Sequence, residues 1–241
     1  RDSRKAVVNS FAMEAASNMH TCFYRTGYDI AMPLAPKKVF HHLAGIAPLE
    51  RDYFLTFKGS LYLKSHGSEE RVSLKPLHDE DNGVITALSC FEVHKEHLLD
   101  ENVEYCQGLK SRYNKYDYNR RGMPRLMNTT FGLVPGGRSP GTYRLAEVMS
   151  AGAIPVFVAR DIIQPFREQY DWPSFSFAFA PTDVWSSLMQ TLRAVPPDQL
   201  AEMQRKSLEA YWEIFGGGTQ DFIPIARKMV EVLQQRIGHR G

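Results

Sequence analysis

The sequence is poor in the features that announce the more specialised classes of chain. It holds three cysteines in 241 residues, Cys22, Cys90 and Cys106, so one internal bridge is the most it can form. Positive and negative side chains nearly cancel, 29 Lys and Arg against 27 Asp and Glu, for a net charge of +2. No overall field therefore argues for a nucleic acid partner. Apolar runs stop at about seven residues, as in AIPVFVA from Ala153 to Ala159, far short of the roughly 20 that cross a bilayer as a helix. Internal repeats and low-complexity tracts are absent. So is a G-x-G-x-x-G turn after the first strand, which removes a nicotinamide-dependent oxidoreductase from the candidates. Because the chain opens at Arg1 rather than at a methionine, it is expected to be a segment of a longer one, with any targeting element upstream.

What is there is an ordinary globular composition, 43% hydrophobic and 12% aromatic, enough for a sizeable core. The texture changes near residue 50, where APLERDYFLTFKG ends a loop-rich opening, and a boundary is placed there, between 1–49 and 50–241. From Tyr53 the chain reads as strands YFLTFK, VITALS (Val84 to Ser89), TFGLVP, IPVFVA and SFSFAF. Between them lie a Gly- and Ser-rich loop (GSLYLKSHGSEE), a polar insertion running to about Lys110, and a helix after TFGLVP. Strands alternating with helices predict an α/β domain with a parallel sheet and right-handed crossovers. Two amphipathic helices close the chain. Leu200, Met203, Leu208, Tyr211, Trp212 and Phe215 share one face of the first, which Gly216 to Gly218 stop; Phe222, Ile225, Ala226, Met229, Leu233 and Ile237 mark the second. Both stripes read as core, and so do Trp172, Trp185 and Trp212, with stacking on sugars as the alternative.

The chemistry concentrates in GRSPGTYRLAEVMSAGAIPVFVARD, from Gly137 to Asp161. Ser139 suits an N-cap, Pro140 the first helical position and Gly152 the C-terminal stop, which predicts a helix of about three turns. Leu145, Val148 and Met149 would face the sheet, with Arg144 and Glu147 together on another face near the front. Gly136 and Gly137 let backbone N–H groups approach a ligand, the helix start adds partial positive charge, and Arg138 stands just ahead. Two guanidinium forks there would grip a diphosphate without a metal, leaving Glu147 to accept ribose hydroxyls. The alternative is a plain strand-to-helix turn carrying a surface Arg144–Glu147 pair worth little.

The stretch from Asn128 to Trp172 resembles the C-terminal, nucleotide-sugar-binding half of the exostosin family of glycosyltransferases. YRTGYDIAMPL, DYFLTFKGS with Arg71 downstream, KYDY, and DIIQPF followed by DW come in the family's order, and the likeness covers most of the chain. The resemblance implies a GT-B architecture of two Rossmann-like domains, of which this chain holds the donor domain (50–241) and only the end of the acceptor-binding domain with its linker (1–49). It puts Arg71, Arg138 and Arg144 near the donor phosphates and Glu147 on the family glutamate. Ser139, Gly141 and Thr142 at the loop complete the expected donor-binding set. It further implies inverting transfer from a UDP-sugar to a glycan acceptor, such as glucuronic acid onto a glycosaminoglycan-like chain, with no metal or other cofactor. A second reading of another class is a non-catalytic partner that stabilises a homologous transferase subunit. The family setting is the Golgi lumen, on a single membrane anchor upstream. No catalytic base is assigned; Asp29 matches a family aspartate and is either a cleft residue or a turn residue.

Three other signals compete. Asp79-Glu80-Asp81 spells the D-x-D pattern that holds a divalent cation in another transferase fold, but Asn82-Gly83 directly behind it reads as a turn. Cys90, His94, His97 and Cys106 leave open a disulfide, as a cysteine pair in the animal exostosins implies, free thiols, or a zinc site of unusual spacing. Asn128-Thr129-Thr130 is a glycosylation sequon at a place where the animal exostosins have a similar triplet. Arg120, Arg121 and Arg125 form a basic cluster read as a solvated helix face, with an acidic acceptor as the alternative.

Overall fold

The computed structural model describes residues 13–17, 19–61, 68–90, 115, 122–137 and 140–238. Its centre is a five-stranded sheet of β3 (Tyr53–Leu61), β4 (Val84–Cys90), β5 (Thr129–Pro135), β6 (Ile154–Val158) and β7 (Phe177–Phe179), in the order β4-β3-β5-β6-β7. Every pairing is parallel, so this is the Rossmann-like α/β sheet flanked by helices that the alternating pattern predicts. All residues of β5 and β6 are buried, as expected of strands covered on both faces.

Alternation sorts the side chains into two layers. Leu55, Phe57, Leu133, Val156 and Leu188 join one cluster, while Val134, Val148, Phe157, Trp172 and Tyr211 join the other. The second layer is covered by α3 (Arg144–Ser150) and by two of the remaining helices, α5 (Pro197–Phe215) and α6 (Ile223–Gly238). The others are α1 (Ser68–Val72), α2 (Gly122–Met127) and α4 (Met189–Arg193). Gly132 of β5 lets α3 lie close, since a Cβ there would sit 2.4 Å from Val148. Gly216 ends α5 in the left-handed conformation, φ +61°, as a C-terminal glycine does. Among the described residues no helix is long and apolar enough to cross a membrane.

Several expectations need correction. β3 runs on through Gly59, Ser60 and Leu61, where a loop was expected. SFSFAF yields a strand only at Phe177–Phe179, because Trp172–Ser174 forms a helical turn whose carbonyl, at Trp172, holds the Ser176 hydroxyl. Trp212 is 50% exposed, Phe222 is exposed just ahead of α6, and Ile237 lies outward on α6, which meets the core mainly through Ile225 and Val232. Trp172 is buried and donates to the Pro165 carbonyl. The insertion with His94, His97 and Cys106, the side chain of Cys90, and Arg120 and Arg121 lie outside the described structure.

The opening segment is tied to the sheet domain by polar hubs. Short strands β1 (Ala15–Ala16) and β2 (Ile30–Ala31) pair in parallel. Arg51 is buried and donates to the carbonyls of Leu43, Ile46, Thr129, Ala151 and Gly152. Two of those carbonyls, on Ala151 and Gly152, directly follow α3, whose C-terminal dipole favours a cation. Burial pulls the Arg51 pKa down to about 10, so it stays charged at neutral pH. Asp29, 1% exposed, accepts from Glu14 N–H, Arg25 N–H and the Arg25 guanidinium. That occupies both carboxylate oxygens, and Asp29 is an anchor of the 25–29 turn rather than a cleft residue. Glu168 likewise accepts from Gly27 N–H, Tyr24 and Arg236.

Replacing Arg51 by methionine should cost about 3 kcal/mol, the scale of a broken buried polar network, read as a lower urea midpoint at unchanged m-value. Burial alone would raise the Asp29 and Glu168 carboxyls, but Arg25 and Arg236, aided by backbone N–H groups, hold them below their ordinary 3.8 and 4.5. Depressed carboxyl values contribute stability that is present above the ordinary values and lost as pH falls through the folded ones. The urea midpoint should therefore fall below about pH 4, and less steeply in Arg236→Gln.

Candidate functional site

In a parallel sheet the ligand crevice forms at the carboxyl ends of the strands where chain order reverses. Here the chain goes from β3 outward to β4 and returns on the other side to β5, so the reversal lies between β3 and β5. A pocket of about 220 Å³ opens there, lined by the end of β3, by α1 and by the start of α3. It is smaller than the roughly 300–1,000 Å³ that encloses a whole drug-sized ligand, and suits part of one.

The side chains lining it are unusual in sign. Four described residues are cations, Lys37, Lys58, Arg71 and Arg144, and one is an anion, Glu147. Arg71 comes from α1, is 6% exposed, and donates from Nε to Gly136 O (2.9 Å) and from Nη1 to Ser60 O (2.5 Å). Arg144 opens α3, donates from Nη2 to Lys58 O (2.5 Å) and pairs through Nη1 with Glu147 Oε2 at 2.7 Å. That pair is not on the surface: the Arg144 side chain is 10% exposed and that of Glu147 3%. Desolvating such a pair costs several kcal/mol per ion, so its main effect is to fix where the guanidinium lies. Lys58 sits inside β3 at 1% exposure. Lys37 reaches in from the linker with its ammonium 4.1 Å from the centre of the half-exposed Tyr143 ring.

The helix expected from Ser139 begins instead at Arg144, has seven residues, and has no side-chain cap. The contact that accompanies this is tertiary. Gly141 lies against the linker, where a Cβ would be 2.1 Å from Ser17 O, and it ties the loop down ahead of Arg144. Thr142 Oγ1 accepts the Arg144 N–H at 3.3 Å in place of a cap. Positive charge at this site comes from side chains more than from a helix end, and all seven α3 residues are buried.

Arg71, Thr142, Arg144 and Glu147 of the sequence-predicted set line the one pocket, and Gly141 sits beside it in the loop. Arg138 and Ser139 lie outside the described residues. Lys58, Lys37 and Phe57 were missed; the available signal was a lysine interrupting the apolar run YFLTFKGSL. The Asp79 group closes a turn, with its carboxylate holding Asn82 N–H at 3.3 Å and Nδ2 at 2.7 Å, before Gly83 at φ +70°. In the sequon, the Asn128 Oδ1 is enclosed without a partner among the described residues, and the Thr130 hydroxyl donates to Pro48 O. Cys22 is a free, exposed thiol.

Comparison with known proteins matches residues 3–195 to the Exostosin GT47 domain. Exostosin-1 of Drosophila melanogaster is 29% identical over 234 residues, covering 94% of this chain and 29% of that protein. Exostosin-1b of Danio rerio is 28% identical over 240 residues, covering 94% and 30%. The chain thus spans less than a third of the length of these relatives. Among solved structures, Anabaena HepE in complex with UDP and glucose aligns with TM-score 0.47 at 13% identity, over 86% of this chain and 56% of that one. AviGT4, a glycosyltransferase involved in avilamycin A biosynthesis, aligns with TM-score 0.44 at 16% identity, over 90% and 59%.

Gly141→Ala should push the loop off Ser17 and cost about 1–3 kcal/mol, the usual range for overpacking, measured as a lower thermal midpoint. Gly45→Ala, with open space around the position, serves as the control and should leave the midpoint within a degree or so.

Proposed function

The chain belongs to the exostosin GT47 family, and on that premise we propose that it is the donor-binding part of a glycosyltransferase that moves a sugar from a UDP-sugar to a glycan acceptor. The observation that carries this reading is the convergence of four cations and one carboxylate on a pocket at the reversal point of the sheet. A diphosphate is the ligand chemistry such a lining recognises.

In this reading Arg71, Lys58 and Arg144, with Arg138 from the adjoining loop, meet the phosphates. Thr142 lines the same pocket, and Ser139 and Gly141 complete the donor-binding set of this reading. Glu147 orients Arg144 through Oε2 and faces the ribose from the pocket wall. The acceptor hydroxyl attacks the anomeric carbon from the side opposite the nucleotide. A C–O bond forms there as the bond to the diphosphate oxygen breaks, the hydroxyl proton passes to a base, and UDP leaves with the bonding pair. The cations stabilise the charge that grows on the diphosphate, the contribution that matters most in such a step. No base is assigned, and Asp29 is not taken as one because both its carboxylate oxygens are held by Arg25 and backbone N–H groups.

The finer assignment is a uronosyl transfer, glucuronic acid onto a glycosaminoglycan-like chain, in the Golgi lumen on an upstream anchor and alongside a homologous subunit. No divalent cation is needed in this account, because side-chain cations do the neutralising and the one carboxylate is held by Arg144.

The test is UDP release by the full chain from a panel of UDP-sugars with glycan acceptors. One donor should be consumed, EDTA should leave the rate unchanged, and Arg144→Ala should lower it about 10² to 10³-fold, as removal of one preorganised donor does. No release from any donor by a chain that still binds UDP would favour the non-catalytic partner.

A further inference from the structure

Resting on that reading of the pocket, one buried ring stands out. Phe57 is 1% exposed, and two guanidiniums lie within cation–π range of it. The Cζ of Arg71 is 5.5 Å from the ring centre and that of Arg144 is 5.7 Å. The two arginines reach it from different elements. Arg71 stands on α1, which follows β3, and Arg144 on α3, which follows β5. The ring can serve both because of the residue two places on. Gly59 shares the face of β3 that Phe57 occupies, since side chains alternate along a strand. A Cβ at Gly59 would lie 2.5 Å from Phe57 Cζ and 3.3 Å from Arg71 Nη1. The missing side chain is the space that the ring tip and the Arg71 fork occupy.

We infer that Phe57 is a positioning residue of the anion pocket: its π system holds the guanidiniums of Arg71 and Arg144 at a fixed separation and turned to the same ligand. Like charges brought together repel, and two flexible side chains lose rotamer freedom when held. An aromatic ring within reach of both offers each a negative surface without cancelling its charge, whereas the carboxylate of the lining, Glu147, is paired with Arg144. Backbone carbonyls fix individual N–H groups, Gly136 and Ser60 for Arg71, Lys58 for Arg144. The ring is a side chain that both guanidiniums share.

The experiment measures UDP binding to the full chain by calorimetry, with 3-fluoro- and 3,5-difluorophenylalanine at position 57 and with Phe57→Leu. Fluorine drains the ring's negative face while keeping its shape. Affinity should fall about two- to threefold with each fluorine, at unchanged thermal midpoint, and about tenfold in Phe57→Leu, the range of desolvated cation–π contacts. Affinity that drops in Phe57→Leu but is flat across the fluorinated pair would make the ring a packing group and overturn the inference while leaving the pocket's assignment intact. A parent chain that fails to bind UDP would overturn both.

Discussion

The structure turns on gathering positive charge where water is scarce. Lys58, Arg71 and Arg144 are each less than a tenth exposed, and a buried cation is tolerated only where geometry and hydrogen bonding are settled in advance. That settlement is visible in the atoms. The guanidinium forks are spent partly on main-chain carbonyls of the same strand ends that form the pocket, so the fold and the site are fixed by one set of bonds. Glu147 pins Arg144 from the next turn of its helix. An anion entering the pocket meets donors that have little left to reorganise, which is the condition under which electrostatic stabilisation is effective.

The sheet supplies the rest. Parallel strands in the order β4-β3-β5-β6-β7 open a crevice between β3 and β5, and the residues at that crevice are the ones whose chemistry departs from their surroundings: a lysine in an apolar strand, a glycine that makes room for a ring, an arginine at the first position of a buried helix. Around it the linker is drawn in by Arg51, by the anchored turn at Asp29 and by the close approach of Gly141 to Ser17. Gly141 of the loop beside the pocket thus rests against the opening segment, and Lys37 brings the linker's own charge to the pocket mouth.

Much of this was legible in the residue pattern. The five strands, their parallel arrangement and the glycine stop after Phe215 follow from periodicity and punctuation alone. Arg144 and Glu147 were legible as a pair because three residues separate them on a helix. Their burial was not, since it depends on how tightly α3 lies on Gly132, a tertiary fact. The helix start was misplaced because Ser139-Pro140 is a good local signal that the contact of Gly141 with Ser17 overrides. Trp212 and Phe222 illustrate the limit of helical stripes: spacing locates a face, but which face meets the core depends on the neighbouring helix. Lys58 left a trace, a charge inside an apolar strand, but its role and that of Phe57 depend on what stands across the crevice, which the local sequence does not record.

The central claim, that this pocket holds a diphosphate by side-chain charge, is tested most directly by titrating UDP and uridine separately into the full chain. The account predicts that UDP binds at least about a hundredfold more tightly, the worth of two or so charge-assisted contacts, and that the difference shrinks as salt is raised. Equal affinities for the two, or a gap indifferent to ionic strength, would contradict it.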